Sequence, residues 1–227
     1  MEYHFEEIQI DIFERNIKLL QITNVDEVFD HLIAQCPNDI EVIDERIPYW
    51  TELWPSAIAL SKYIIDNQSL IEGRNVLEIG CGLALPTIIS GFCKPKSITA
   101  SDYLPDALNF VARNWSLNHD DDTALHTSII DWRNLFSEPR DLLNFDLILA
   151  SDVIYEKRYV KDMIELIRKM PDEMELILSE PGRPIAKEFV QLLETEKNLK
   201  VKTSQIAVTH RGALFTVNIL HISKHIL

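Results

Sequence analysis

Hydrophobic positions change period several times along this chain, and each change marks an element. Residues 3–23 alternate in two stretches, Phe5-x-x-Ile8-x-Ile10-x-Ile12 and Ile17-x-Leu19-x-x-Ile22, separated by Glu14-Arg15-Asn16. That pattern predicts a β-hairpin outside the main sheet. Asn24 followed by Glu27 reads as a capping-box start, and Val28, Leu32 and Ile33 carry a helical period to a stop at Pro37. A second helix begins at Pro55, a residue suited to a first turn, and turns Ile58, Leu60, Ile64 and Ile65 toward the core.

From residue 76 onward, short strand-like runs alternate with helical ones. Val76 to Ile79, Ser97 to Asp102, 124–130, Phe145 to Ser151 and Glu175 to Ser179 read as strands, with helices from Leu85 to Cys93 and from Leu104 to Trp115. The run Phe145 to Ser151 is continuous and apolar, as a parallel strand buried on both faces requires. Two last strands near 199–208 and 213–222 flank Arg211-Gly212 and predict an antiparallel hairpin, one strand of which inserts into the sheet. The expected fold is α/β, a Rossmann-like doubly wound seven-stranded sheet, mostly parallel with one antiparallel strand near the C-terminus. An N-terminal β-hairpin and helix, residues 1–44, precede the main domain, residues 45–227.

Polar residues cluster where these strands end. Val76-Leu-Glu-Ile-Gly-Cys-Gly82 places Glu78, Gly80 and Gly82 at the first central strand, where glycine lets backbone turn and approach a ligand. In an open α/β sheet ligands bind outside such carboxyl ends. A dinucleotide fingerprint would need glycine where Leu85 stands, so that reading is weak. Asp102 ends the next strand, 24 residues after Glu78, where a carboxylate can accept both hydroxyl hydrogens of a ribose. Asp131-Trp132 follows the third strand and suits either an adenine or a helix cap with a packing ring. The fourth strand delivers Asp152-Val-Ile-Tyr155, and another ends in Glu180-Pro-Gly-Arg183. Tyr49, Trp50 and Trp54 precede the second helix; for Tyr49 and Trp50, packing anchors and cation-holding faces are both open.

Charge narrows the partners. A formal net charge of −14 over 227 residues opposes a polyanionic partner, so nucleic acid is not expected, and basic or neutral substrates are favoured. No apolar run approaches a membrane span and no secretory leader is visible, so neither a membrane partner nor secretion is expected. Cys36, Cys81 and Cys93 are odd in number and lack metal-ligand spacing, which fits reduced thiols in a cytoplasmic protein. His221 and His225 lie in a strand and tail, where a spacing of four does not bring them together, so no metal is expected.

Taken together, Pro48-Tyr-Trp-x-x-x-Trp54-Pro, the glycine loop, Asp102, Asp131-Trp132 and Asp152-Val-Ile-Tyr155 resemble the family-16 branch of seven-strand methyltransferases that use S-adenosyl-L-methionine (AdoMet). The branch includes protein lysine methyltransferases and nicotinamide N-methyltransferase-like proteins. The Trp-Pro element is most similar to the electron-transfer flavoprotein β-subunit lysine methyltransferase group. The resemblance covers residues 45–222 and implies that Glu78, Gly80 and Gly82 line the methionine side of AdoMet. It implies further that Asp102 binds the ribose, that Asp131 and Trp132 border adenine, and that Trp54 walls the methionine part. Asp152 and Tyr155 match the catalytic Asp-x-x-Tyr, with Tyr49 and Trp50 on the substrate side. Ala84 departs from the pattern, standing where many relatives carry a third glycine, and Glu180-Pro-Gly-Arg183 matches no signature. The implied reaction is methyl transfer from AdoMet to an amine nitrogen, foremost a protein lysine, leaving S-adenosyl-L-homocysteine (AdoHcy). A small amine acceptor and a non-catalytic AdoMet-binding interaction module are the alternatives. Sequence gives no view of oligomeric state.

Overall fold

The computed structural model describes residues 2–35, 48–120, 125–133, 142 and 144–224. Cys36, the helix stop at Pro37, Ala124 and His225 lie outside them.

Strands β1 (Phe5–Ile12) and β2 (Arg15–Ile22) form the expected separate two-stranded sheet. Its inner positions Ile12, Ile17 and Leu19 are at most 1% exposed and share one core with Ile58, Leu60 and Ile64. Tyr3 and Phe5 meet Phe110 edge-on, and Arg113 lies 4.2 Å over the Phe5 ring. Helix α1 (Val25–Gln35) begins after Asn24, whose side chain donates to Glu27 and accepts from the His4 N–H, both at 2.8 Å. Helix α2 (Pro55–Asp66) starts on its proline as read, with Ile58, Ala59, Leu60 and Ile64 buried.

The main sheet contains β3 (Asn75–Ile79), β4 (Ser97–Asp102), β5 (Leu125–Ile129), β6 (Leu147–Ser151), β7 (Glu175–Glu180), β8 (Leu199–His210) and β9 (Ala213–Lys224). Their order is β5-β4-β3-β6-β7-β9-β8, and only β9 runs against its neighbours on both sides, as predicted. β3 sits centrally, with Val76 facing Ile98 of β4 and Leu147 of β6. Helices α3 (Leu85–Gly91), α4 (Pro105–Ser116), α5 (Lys157–Lys169) and α6 (Pro184–Thr195) follow the strands. Alternate strand residues feed two cores. Val76, Leu147 and Leu149 join α2 and α3, while Leu77, Ile148 and Ala150 join α5 and α6. Each fully buried Leu or Ile contributes about 1.5–3 kcal/mol relative to exposure.

Helix α3 stops at Gly91, two residues before the predicted end. A Cβ on Gly91 would come within 2.5 Å of the Trp115 ring, so close packing of a large aromatic selects glycine there. The final hairpin strands run two residues longer than read at their far ends. Arg211 and Gly212, with φ of 48° and 76°, form a tight turn that keeps the pairing through His210 and Ala213. Among the described residues, no helix is long and apolar enough to cross a membrane.

Candidate active site

All parallel strands of the sheet end at one edge, and the loops leaving β3, β4, β6 and β7 surround a cleft of about 1020 Å³ including its open mouth. Tyr49, Trp54, Gly80, Gly82, Asp102, Trp132, Asp152 and Tyr155 border this single cleft. Eight positions chosen for their chemistry along more than a hundred residues of chain thus meet in space.

The loop after β3 is built by glycine and buried polar contacts. Gly80 has φ of 59°, and a Cβ there would sit 3.0 Å from Val153 Cγ1. Gly82, at φ 50°, runs beside the Trp50 backbone. The Cys81 N–H donates to the Ser101 carbonyl at 2.9 Å, tying the loop to β4. Ala84 also adopts the left-handed conformation, with φ of 61°, so this turn accepts a non-glycine residue despite the steric cost.

Glu78 lies behind that loop, 1% exposed. Its Oε2 accepts from the Thr87 N–H at 2.9 Å and from the Thr87 hydroxyl at 2.5 Å, while the buried Oε1 has no hydrogen-bond partner among the described residues. Burial pushes its carboxyl up to about 8 against the opposing pull of Thr87. Asp102, 4% exposed, accepts from the N–H groups of Gly82 at 3.2 Å and Leu104 at 3.1 Å.

An aromatic file crosses the cleft. Trp54 meets Tyr49 at 5.6 Å, Tyr49 meets Tyr155 at 5.2 Å, Tyr155 meets Tyr159 at 5.0 Å and Tyr159 meets Trp132 at 5.8 Å, all between ring centroids. The Trp54 indole N–H donates to the Tyr49 carbonyl at 2.9 Å, which holds the two rings together. Beside them stands Asp152, left-handed at φ 54°, its N–H donating to the Ser179 carbonyl at 2.9 Å. Arg183 Nε and Nη2 donate to its two oxygens at 3.1 Å each, and the Ser56 hydroxyl lies 3.4 Å from Oδ2. Burial raises the Asp152 carboxyl above the usual range, and the Arg183 hydrogen bonds oppose that rise.

Two expected residues sit differently from their neighbours. The Trp50 ring is 7% exposed and packs against Tyr3 and Phe110 at 5.9 and 5.6 Å, and the residue also borders the cleft, so it is anchored on the hairpin side while lying at the cleft wall. The reason is the hairpin, which covers this side of α4. Asp131 turns its carboxylate to Arg133, accepting from Nε at 2.6 Å and Nη2 at 2.9 Å, and it is Arg133 with Trp132 that borders the cleft.

Residues to which sequence reading gave no role are Tyr103, Arg133, Tyr159 and Arg183, all bordering the cleft. Arg183 stands three residues beyond β7, and the strand-end rule that singled out Asp152 applies to it equally. Tyr159 is 1% exposed and lies in α5, where nothing local separates it from an ordinary core aromatic. Among the described residues no group of three or more His, Cys, Asp or Glu could hold a metal ion.

A family model described as lysine methyltransferase matches residues 48–196. A Caenorhabditis elegans electron transfer flavoprotein beta subunit lysine methyltransferase homolog is 26% identical over 162 residues, covering 66% of this chain and 66% of that protein. Histone-arginine methyltransferase METTL23 of Xenopus laevis is 28% identical over 127 residues, covering 56% of this chain and 53% of its own length. The chain thus spans between half and two-thirds of the length of these curated relatives. Among solved structures, a candidate RNA methyltransferase from Pyrococcus horikoshii superposes with a TM-score of 0.59 at 19% identity, covering 78% of this chain and 90% of that one. A further candidate methyltransferase, complexed with SAH (the same compound as AdoHcy), gives a TM-score of 0.55 at 15% identity, covering 73% and 50%. At these identities the structures speak for the fold, while the family model reaches from the Tyr-Trp segment through α6 and takes in every strand end that borders the cleft. The chain belongs to the lysine methyltransferase family and carries the seven-stranded sheet of the AdoMet-dependent methyltransferases.

Proposed function

We propose that this protein is an AdoMet-dependent N-methyltransferase whose acceptor is an amine nitrogen, foremost the side chain of a protein lysine. The observation that carries the reading is the convergence of a glycine loop and a buried, aromatic-flanked carboxylate on one cleft.

The chain fits the cofactor on two counts. A Cβ at Gly80 would press on Val153 and one at Gly82 would strain its left-handed turn, so the loop stays bare, and Glu78 Oε1 is a buried polar atom with no partner among the described residues. Gly80, Gly82, Glu78 and Trp54 would hold the methionine part, Asp102 the ribose, and Trp132 the adenine, with Asp131 setting Arg133 beside it. When bound, AdoMet supplies an electrophilic methyl group and leaves as AdoHcy.

The rest of the task falls to the protein. A lysine amine ordinarily titrates at about 10.4 and must give up its proton to solvent water before attack. Asp152 draws the incoming cation into the cleft and orients it, while Tyr49 and Tyr155 offer ring faces to the approaching nitrogen. Holding nitrogen and methyl carbon in line supplies most of the acceleration such a displacement needs.

A guanidinium acceptor is a second reading, favoured by the two-bond fork that Asp152 already makes with Arg183. Calorimetric titration of AdoMet and AdoHcy tests the cofactor site, with Asp102→Ala as the weakened control. Labelled methyl transfer to lysate proteins, followed by hydrolysis, tests the acceptor: methyllysine is expected, and methylarginine alone would move the second reading to the front. Failure of both nucleotides to bind would sink the proposal and favour an interaction module.

A further inference from the structure

The cation that faces Asp152 comes from the chain itself. Asp152 follows β6 and Arg183 lies beyond β7, and these strands pair side by side, so the two loop residues meet across the sheet edge. One edge of the guanidinium covers both carboxylate oxygens, at 3.1 Å each. The partners are unequal in exposure, with the Asp152 side chain 7% exposed and that of Arg183 38% exposed. The carboxylate is therefore the inner partner and the guanidinium the outer one, with solvent behind it.

The two backbones are anchored independently of this pair. Asp152 is held in its left-handed conformation with its N–H on the Ser179 carbonyl. Glu180, 3% exposed, accepts from the Gly182 N–H at 2.6 Å and from the Asn218 side-chain amide, which shapes the turn before Arg183. Beyond its two bonds to Asp152, the long arm of Arg183 is partly open to solvent, at 38% exposure. Asp152, by contrast, depends on a counter-cation, because the Ser56 hydroxyl at 3.4 Å is too distant to satisfy a buried carboxylate. A cation entering the cleft can exchange one ion pair for another, whereas a neutral group has nothing to offer the carboxylate in return.

We propose that Arg183 is a built-in placeholder for the acceptor cation, a specificity-determining residue that occupies Asp152 until a positively charged side chain takes its place. The proposal rests on the acceptor site described above. It makes Arg183 a competitor of cationic acceptors and indifferent to neutral molecules of the same length.

The test is the affinity of n-butylammonium, a lysine side-chain mimic, for the wild-type protein, Arg183→Gln and Arg183→Lys. It is followed by NMR shifts with and without AdoHcy, and 1-butanol, of the same chain length, is the neutral control. Arg183→Gln should bind n-butylammonium about tenfold more tightly than wild type, with 1-butanol unchanged. Adding Asp152→Asn to Arg183→Gln should abolish the gain. Arg183→Lys, which keeps the charge and loses the fork, should gain about threefold and carries the test if the glutamine variant does not fold. Unchanged or weaker amine binding in a folded Arg183 variant would overturn the placeholder. Because the amine titration is also run without nucleotide, loss of AdoHcy binding throughout would count against the methyltransferase reading alone.

Discussion

The two ends of the main sheet treat their carboxylates in opposite ways. At the amino end, Glu175 opens β7 and is shared by His221 Nε2, at 3.0 Å, and Arg74. Those hydrogen bonds outweigh partial burial and hold its carboxyl down to about 2. At the carboxyl end, Glu78 is pushed up to about 8 and Asp152 is also raised, in both cases chiefly by burial. Glu175 has its partners in hand, whereas Glu78 keeps an oxygen unpartnered among the described residues and Asp152 leans on an arginine that solvent can reach. At the amino end Glu175 ties β7 to its neighbours, whereas Glu78 and Asp152 at the carboxyl end are held at a cost by burial.

Several substitutions break or sharpen this contrast. The largest effect is expected at Asp152→Ala, which should lower labelled methyl transfer to lysate proteins by about two to three orders of magnitude while AdoHcy affinity holds. Full turnover in that variant would remove Asp152 from the mechanism. Next, Asp102→Ala should weaken AdoHcy binding by about 10- to 100-fold in calorimetry, the cost of losing hydrogen bonds to a charged acceptor.

The pH dependence of stability separates the two ends most directly. An unfolded chain releases the Glu78 proton above about 4.5, while the folded protein keeps it to about 8. Stability contributed here is therefore present below 4.5 and falls as pH rises toward 8. Glu78→Gln has no proton to lose, so it should be more stable than the parent at pH 8 by about 1–3 kcal/mol and gain nothing at pH 4, with weaker AdoHcy binding. Equal stability of the two proteins in denaturant melts at pH 8 would show that Glu78 is not strained by burial.

The smallest effect belongs to the amino end, and its sign is reversed. The depressed Glu175 carboxyl contributes stability that is present above its unfolded value of about 4.5 and is lost as pH falls toward 2. Glu175→Gln should cost about 1 kcal/mol at pH 7, because the pair is partly solvated, and leave AdoHcy affinity untouched. A loss of nucleotide binding in that variant would mean the two ends are coupled.

Much of this arrangement was legible in the chain. The glycine loop, Asp102 and Asp152 were found by asking which polar residues follow strand-like runs, and all border the cleft. The terminal hairpin was readable from Arg211-Gly212, although its strands run longer than the apolar pattern suggested. Trp50 was harder, because no local signature says that one residue packs its ring beside the hairpin and also borders the cleft. Its ring lies between Tyr3 and Phe110, residues 47 and 60 positions away.

The sequence by itself determined the elements, the two-sided burial of the central strands and the acids at their ends. These depend on periodicity and turn chemistry within a few residues. Only the tertiary structure decided which distant charges meet: Asp152 with Arg183, and Glu175 with Arg74 and His221. Such pairings follow from the order of strands in the sheet and from how far each group is withdrawn from water. Neither quantity is carried by a local pattern of residues.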